Sequence, residues 1–481
     1  MRALSIIALV ASALLLGGVN LAPAHHHEVD KHDHHHLQLS DSADSSGVKA
    51  GSVDGMEVVG YHDLGGRGFN ADVWVHEGHA YVGQWGFSDW ASGNSRFCPT
   101  GDAAGVAIVD ARAPAAPVDV ARLTNPAGTS AEDVVVYTAQ SGPFEGRDIA
   151  AVGLQVCGGS RYDRSFDRGL QLWDVTDPAT PMELAVLDTG CCPRGLHELE
   201  VEHREDLDRT FAYASVPASG YPDSASPSGV RDEQGRGDFR LIDITDPTTP
   251  VEVSDWGVIP DLGAPPAAGQ GCDPDPNYGH SAEPSADGKT VFLSYWDSGF
   301  IALDVTDPET PVFRGRTVYP MNADGDAHSS TYDDARGLLF AADEDFCKTS
   351  GAGIEHGFGY LRVYDYSNLE APVQIGQFRT PNSVGTDDKA AGDYTIHNTW
   401  LVGDTLYISW YSDGIRVVDV ANPTAPREVG SFVPPGTRNP VHPSQRGVLT
   451  NTAQVWGVVV DDGLVYASDM NSGLWILRRT Q

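Results

Sequence analysis
DFRLIDITDPTTPVEVSDW, residues 238–256, contains the repeating element of this chain. Phe239 to Ile242 is a short apolar run with one polar interruption, which reads as a buried strand. Asp243 follows it. Asp246-Pro247-Thr248-Thr249-Pro250 is a turn: proline presets φ, and the aspartate side chain accepts backbone N–H groups. Val251-Glu252-Val253 then alternates apolar and polar, as a returning half-exposed strand does.

The same pattern recurs along the chain. GVAIVDARAPAAPVDVARL starts at Gly105, GLQLWDVTDPATPMELAVL at Gly169 and GFIALDVTDPETPVFRGRT at Gly299. GYLRVYDYSNLEAPVQIGQF starts at Gly359 and GIRVVDVANPTAPREVGSF at Gly414. GLWILRR, from Gly473, is a truncated last copy. The aspartates Asp110, Asp174, Asp243, Asp304, Asp365 and Asp419 close the first strand of each full copy and are read as turn-formers. Upstream of each copy lies a further hairpin, clearest at Thr399-Trp400-Leu401-Val402, Gly403-Asp404, Thr405-Leu406-Tyr407-Ile408-Ser409. Each unit is therefore four antiparallel strands.

These copies resemble the LVIVD repeat family of secreted and surface proteins, over nearly all of residues 55–481. The resemblance implies an all-β fold, a seven-bladed β-propeller of four-stranded blades. Asn368-Leu369 and Arg478 depart from the motif without breaking the strand pattern. The last copy stops one strand short. The orphan segment Glu57-Val58-Val59-Gly60-Tyr61 is similar to Arg427-Glu428-Val429-Gly430-Ser431 and is expected to complete the seventh blade, closing the ring and covering an open sheet edge.

Composition sets the class. The chain has 481 residues, too many for one ordinary core, and its 53 glycines and 31 prolines suit many short strands. The net charge of −36 disfavours nucleic acid and anionic lipid and favours cations. At the N-terminus, Arg2, the apolar stretch Ile6–Leu16 and Ala22-Pro23-Ala24 read as a signal peptide cleaved after Ala24. No later stretch is long and apolar enough to span a membrane. The expected organisation is residues 1–24 as signal peptide, 25–54 as a histidine-rich arm and linker, and 55–481 as propeller, in a secreted or extracytoplasmic protein. Cys98, Cys157, Cys191, Cys192, Cys272 and Cys347 allow up to three disulfides, in any of about fifteen pairings.

The long connections, such as Gly86–Ala104, Val216–Gly237, Pro260–Tyr278 and Pro434–Ala453, fall on one face, the top, where a rigid scaffold displays function. Four consecutive blades start their innermost strand there with histidine: His197, His280, His328 and His397. Trp456 takes the place in the seventh blade, and the first two align more loosely near Asn70 and Ser130. Four imidazoles at a channel mouth suit a divalent metal, Fe, Cu or Zn, with Glu198, Glu200 and Glu283 as carboxylates that orient ring N–H groups. The arrangement looks like that of carotenoid-cleaving oxygenases and of selenium-binding-type thiol oxidases, in layout only, with no shared motif.

Cleavage after Ala24 would expose His25, His26 and His27 as a second metal-binding element, with a free amine and a third-position histidine. Asp343-Glu344-Asp345 lacks calcium-loop spacing and is read as solvated. No nucleotide or dinucleotide fingerprint occurs. The functional expectation is a secreted binding or interaction propeller. It would engage a protein or small-molecule partner through its top loops and carry a metal at the channel mouth. The alternatives are an iron- or copper-dependent oxidoreductase built on the four histidines, or extracytoplasmic metal binding through the arm.

Overall fold
The computed structural model describes residues 51–480, except 90–93, 103, 160–164, 191–193, 218–235, 263–278, 321–322, 324, 347–356, 385–391 and 437–451. The signal peptide, the arm histidines His25, His26 and His27, and Cys191, Cys192, Cys272 and Cys347 lie outside the described residues.

The described residues form an all-β structure of consecutive four-stranded antiparallel units. The first unit is Asn70–His76, His79–Gln84, Val106–Asp110 and Val118–Leu123. The second is Thr129–Thr138, Asp148–Val156, Gly169–Asp174 and Met182–Asp188, joined to the first at Gln84↔Ala131. The third is Leu199–Arg204, Arg209–Ser215, Phe239–Asp243 and Val251–Trp256, and the fourth Ser281–Pro284, Thr290–Ser294, Phe300–Asp304 and Val312–Arg316. The fifth is Ala327–Asp333, Leu338–Asp343, Leu361–Asp365 and Val373–Phe378. The sixth is Thr399–Val402, Thr405–Ser409, Ile415–Asp419 and Arg427–Val433, with Ser52–Asp54 added at its outer edge. The seventh is Val455–Asp461, Leu464–Asp469, Gly473–Arg479 and, from the other end of the chain, Met56–His62.

The strand pairing follows from the side chains. Third strands are mostly apolar and largely buried on both faces; Ile301, Ala302 and Leu303 are examples. Burying each such side chain stabilises by about 1.5–3 kcal/mol. Outer strands are half exposed and carry a register shift at a common place. Met56–His62 has the same shift, between Val58 and Gly60, where it pairs with Gly473–Arg479. The repeated aspartates are turn-formers, as expected. Asp243 Oδ1 accepts from Thr245 N at 2.9 Å, Asp304 Oδ1 from Thr306 N at 2.9 Å and Asp419 Oδ1 from Ala421 N at 3.0 Å.

Hydrophobic clusters fill the gaps between neighbouring units. Leu170 and Leu172 pack on Leu199, Ala212 and Ile242, and Val291 and Leu303 pack on Tyr213 and Leu241. The last unit packs on the first in the same way: Val459, Tyr466, Leu474 and Ile476 share a cluster with Val73, Val82, Ala107 and Val109. A close backbone approach repeats too. A Cβ on Gly315 would lie 2.2 Å from Leu369 O of the next unit, and one on Gly376 2.0 Å from Pro423 O. A Cβ on Gly60 of the seventh unit would lie 1.8 Å from Pro114 O of the first.

Candidate metal centre
The innermost strands of all seven units line one cavity of about 320 Å³. Its walls include Asp72, Asp133, Glu198, Glu200, Glu202 and Glu283, and no lysine, arginine or histidine among the described residues. At one end of it stand the four histidines.

Each histidine precedes or opens the inner strand of its unit, so successive units bring successive rings side by side. Ring centroids are 4.1 Å apart for His197–His280, 3.8 Å for His280–His328 and 4.2 Å for His328–His397. All four side chains are buried. His197 Nε2 and His280 Nε2 are 2.6 Å apart, one donating to the other. His397 donates from Nδ1 to the carbonyl of Trp456 at 2.8 Å. That bond fixes the tautomer and leaves Nε2 as a bare lone pair without a hydrogen-bond partner, 3.9 Å from Glu344 Oε1. Burial pushes the His197 and His397 imidazoles down to about 3, so both are neutral at ordinary pH.

Carboxylates stand behind the rings. Glu132 Oε2 is 2.8 Å from His197 Nδ1 and accepts from Gln155 Nε2 at 2.6 Å. Glu198 Oε1 is 3.5 Å from His280 Nδ1. Glu344 bridges two rings, with Oε2 3.4 Å from His328 Nε2, and accepts a hydrogen bond from the Tyr411 hydroxyl. Two sets, Glu198–His280–His328 and His328–Glu344–His397, bring their ligand atoms close enough to share an ion.

Of the three carboxylates singled out by sequence, Glu198 therefore reaches a histidine. Glu200 and Glu283 lie further along the cavity, and Glu283 Oε1 accepts from Tyr332 N at 3.1 Å. Glu132 and Glu344 were not anticipated. Their signal is positional: an acid at the start of the second unit's inner strand, and an acid just after the strand that pairs with the one carrying His328. Asp343, Glu344 and Asp345, expected to be solvated, are buried instead. Asp343 is tied to Arg362 and to the Tyr319 hydroxyl, and Glu344 faces the histidines. The loose alignment at Asn70 and Ser130 also moves. Bulges in the first two inner strands bring Asp72 and Asp133 to the cavity, while Asn70 and Ser130 bond neighbouring backbone.

Burial raises the carboxyls throughout. Asp133 is held at about 6, Glu202 at about 7 and Glu283 at about 8, with burial the largest cause in each. Asp72, Glu132, Glu198, Glu200 and Glu344 are pushed well above the usual carboxylate range by burial first and also by the charge of neighbouring carboxylates, while the Tyr411 hydroxyl partly offsets this at Glu344. On the far side of the rings, Phe69, Trp85, Phe97, Phe346, Tyr411, Trp456 and Met470 form an apolar cluster. Trp456 lies 4.4 Å from the His397 ring and gives its indole N–H to Asp72 at 3.2 Å. Neutral imidazoles beside concentrated carboxylates and under an apolar cover suit a divalent cation.

Cys98 and Cys157 form a disulfide that ties a top loop of the first unit to the second unit. No helix of the described residues is long and apolar enough to cross a membrane. No curated protein matches the chain. Among solved structures, the computationally designed Ika8 protein is similar with a TM-score of 0.43 and 8% identity, over 88% of this chain and 99% of that one. Residues 67–87 and 396–433 match the family model of the LVIVD repeat, so this is a chain that carries LVIVD repeats.

Proposed function
We propose that the seven units close into a seven-bladed β-propeller whose channel holds, at its covered end rather than at an open mouth, a divalent transition-metal ion on His197, His280, His328 and His397. The supports for closure are the outer-strand register shift shared by Met56–His62, the cluster between the seventh and first units, and the Gly60–Pro114 approach that repeats those of Gly315 and Gly376. One observation carries the metal reading. His397 is held by the Trp456 carbonyl in the tautomer that presents a bare, buried Nε2 toward its neighbours and Glu344. A buried polar atom without a partner is costly, and a cation supplies one.

On this reading the protein is a secreted binding propeller, with its ligand or partner taken up by the top loops. The Cys98–Cys157 disulfide is compatible with an oxidising compartment. A metal-dependent oxidoreductase is the second reading. It is favoured by the apolar cluster over the rings, which would keep water from an iron or copper ion. Residues 25–36 form a separate metal-binding element in the mature chain.

The test is elemental analysis of the mature chain with its arm histidines, His25 to His36, changed to alanine. Near-stoichiometric Fe, Cu or Zn is expected, lost in His280→Ala and in His397→Ala while circular dichroism stays that of the parent. A folded parent that remains metal-free after incubation with each ion would sink the reading. Oxygen uptake by the loaded protein with a reductant separates the second reading from the first.

A further inference from the structure
We propose that the acidic channel is the route by which a hydrated divalent cation reaches the four histidines, with Glu202, Glu200 and Glu198 as successive steps. The proposal rests on the four-histidine reading and adds a function for the cavity beneath it.

Glu198-Leu199-Glu200-Val201-Glu202 alternates strictly. Leu199 and Val201 turn into the cluster shared with the second unit, so the three glutamates share the opposite face and line the cavity. Strand residues two apart are separated by about 6.6 Å, so the ladder spans about 13 Å. Its ends differ. Glu202 is half-buried, whereas Glu198 is buried and ends 3.5 Å from His280 Nδ1. Glu283, from the neighbouring unit, lines the same wall.

Independent features mark the cavity as a place for a polar guest. Ser330 Oγ is buried, lines the cavity and has no hydrogen-bond partner. Asn398 Oδ1 also lacks one, although its amide N–H holds Asp72 at 2.7 Å. These oxygens suit the water shell of a cation. Described basic side chains are absent from the lining, so nothing there competes for the carboxylates. The rings' other side is packed with Phe69, Trp85, Tyr411 and Trp456, through which a charged ion passes at high cost. Above about pH 7, where Glu202 ionises and an arriving cation draws protons from the carboxyls beyond it, a channel lined by one sign of charge concentrates the opposite ion and raises its on-rate by roughly 10–10³-fold.

The experiment follows Co²⁺ uptake by stopped-flow absorbance, using the full mature chain with arm histidines changed to alanine. Its comparison is the same chain carrying Glu200→Gln, Glu202→Gln and Glu283→Gln. The expected result is unchanged cobalt stoichiometry at equilibrium, with association slowed about 10-fold and a weaker dependence of the rate on salt. Glutamines that load at the parental rate would overturn the route. Loss of bound cobalt in the glutamine variant would overturn it too, since the ladder would then belong to the binding site. If the parent itself takes up no cobalt that His280→Ala abolishes, the four-histidine reading fails instead, and the route with it.

Discussion
Raising the pH from about 7 to about 9 will destabilise the metal-free protein, and changing Glu202 and Glu283 to glutamine will remove part of that loss. Both carboxyls are held high in the fold by burial, Glu202 at about 7 and Glu283 at about 8. A carboxyl with a raised folded value binds its proton more tightly folded than unfolded. Its contribution to stability is complete below the unfolded value of about 4.5 and is lost as pH rises through the folded value. Integrating over about pH 7–9, Glu283 loses about 1 kcal/mol and the half-buried Glu202 under about 0.5 kcal/mol. His197 and His397 stay neutral in the fold across this window, and an unfolded histidine is nearly so, so they scarcely contribute. About 430 ordered residues give an unfolding entropy near 0.9 kcal/mol/K, so the expected drop in Tm is about 2 °C. The assay is differential scanning fluorimetry after chelation, at fixed ionic strength, on the parent and the double variant. General repulsion from the acidic surface affects both proteins alike. Equal pH slopes in the two, or a parent whose Tm rises across the window, would refute the reasoning.

Other expectations concern the scaffold and the site. Changing Cys98 and Cys157 to serine frees a loop of 59 residues, for which chain entropy gives a loss of about 4 kcal/mol, read by urea denaturation. Gly60→Val forces a side chain into the Pro114 carbonyl and should detach the N-terminal strand. Amide exchange in Gly473–Arg479 should then rise selectively, and unchanged protection would count against the shared packing. Tyr411→Phe removes the hydroxyl that holds Glu344 and should weaken metal binding about 10–100-fold by competition titration, with far-UV circular dichroism unaltered.

The repeat was legible because each copy solves the same local problem with the same residue types. An apolar run flanked by Asp and Asp-Pro states a strand and its turn without reference to anything distant, and Asp243 and Asp304 do in the structure what they do in the motif. The position of Met56–His62 was legible for a related reason, since an outer strand carries its own signature and the last copy lacked one. The four histidines were visible as equivalent positions in consecutive copies.

The acids around them were not visible in the same way. Glu344 sits in an acidic triplet that looks like surface, and only the stacking of the fifth and sixth units buries it between His328 and His397. Glu132 comes to His197 because a bulge in the second unit's inner strand shifts the register, and a bulge leaves no mark in composition. The orientation of His397, the direction of the glutamate ladder and the apolar cover all depend on which side chains from separate units meet around the channel. Sequence alone determined the strands, the turns and the residues offered to the channel, because these follow from local chemistry. Which of them face one another was decided by tertiary structure, because burial and distance are properties of the assembled units.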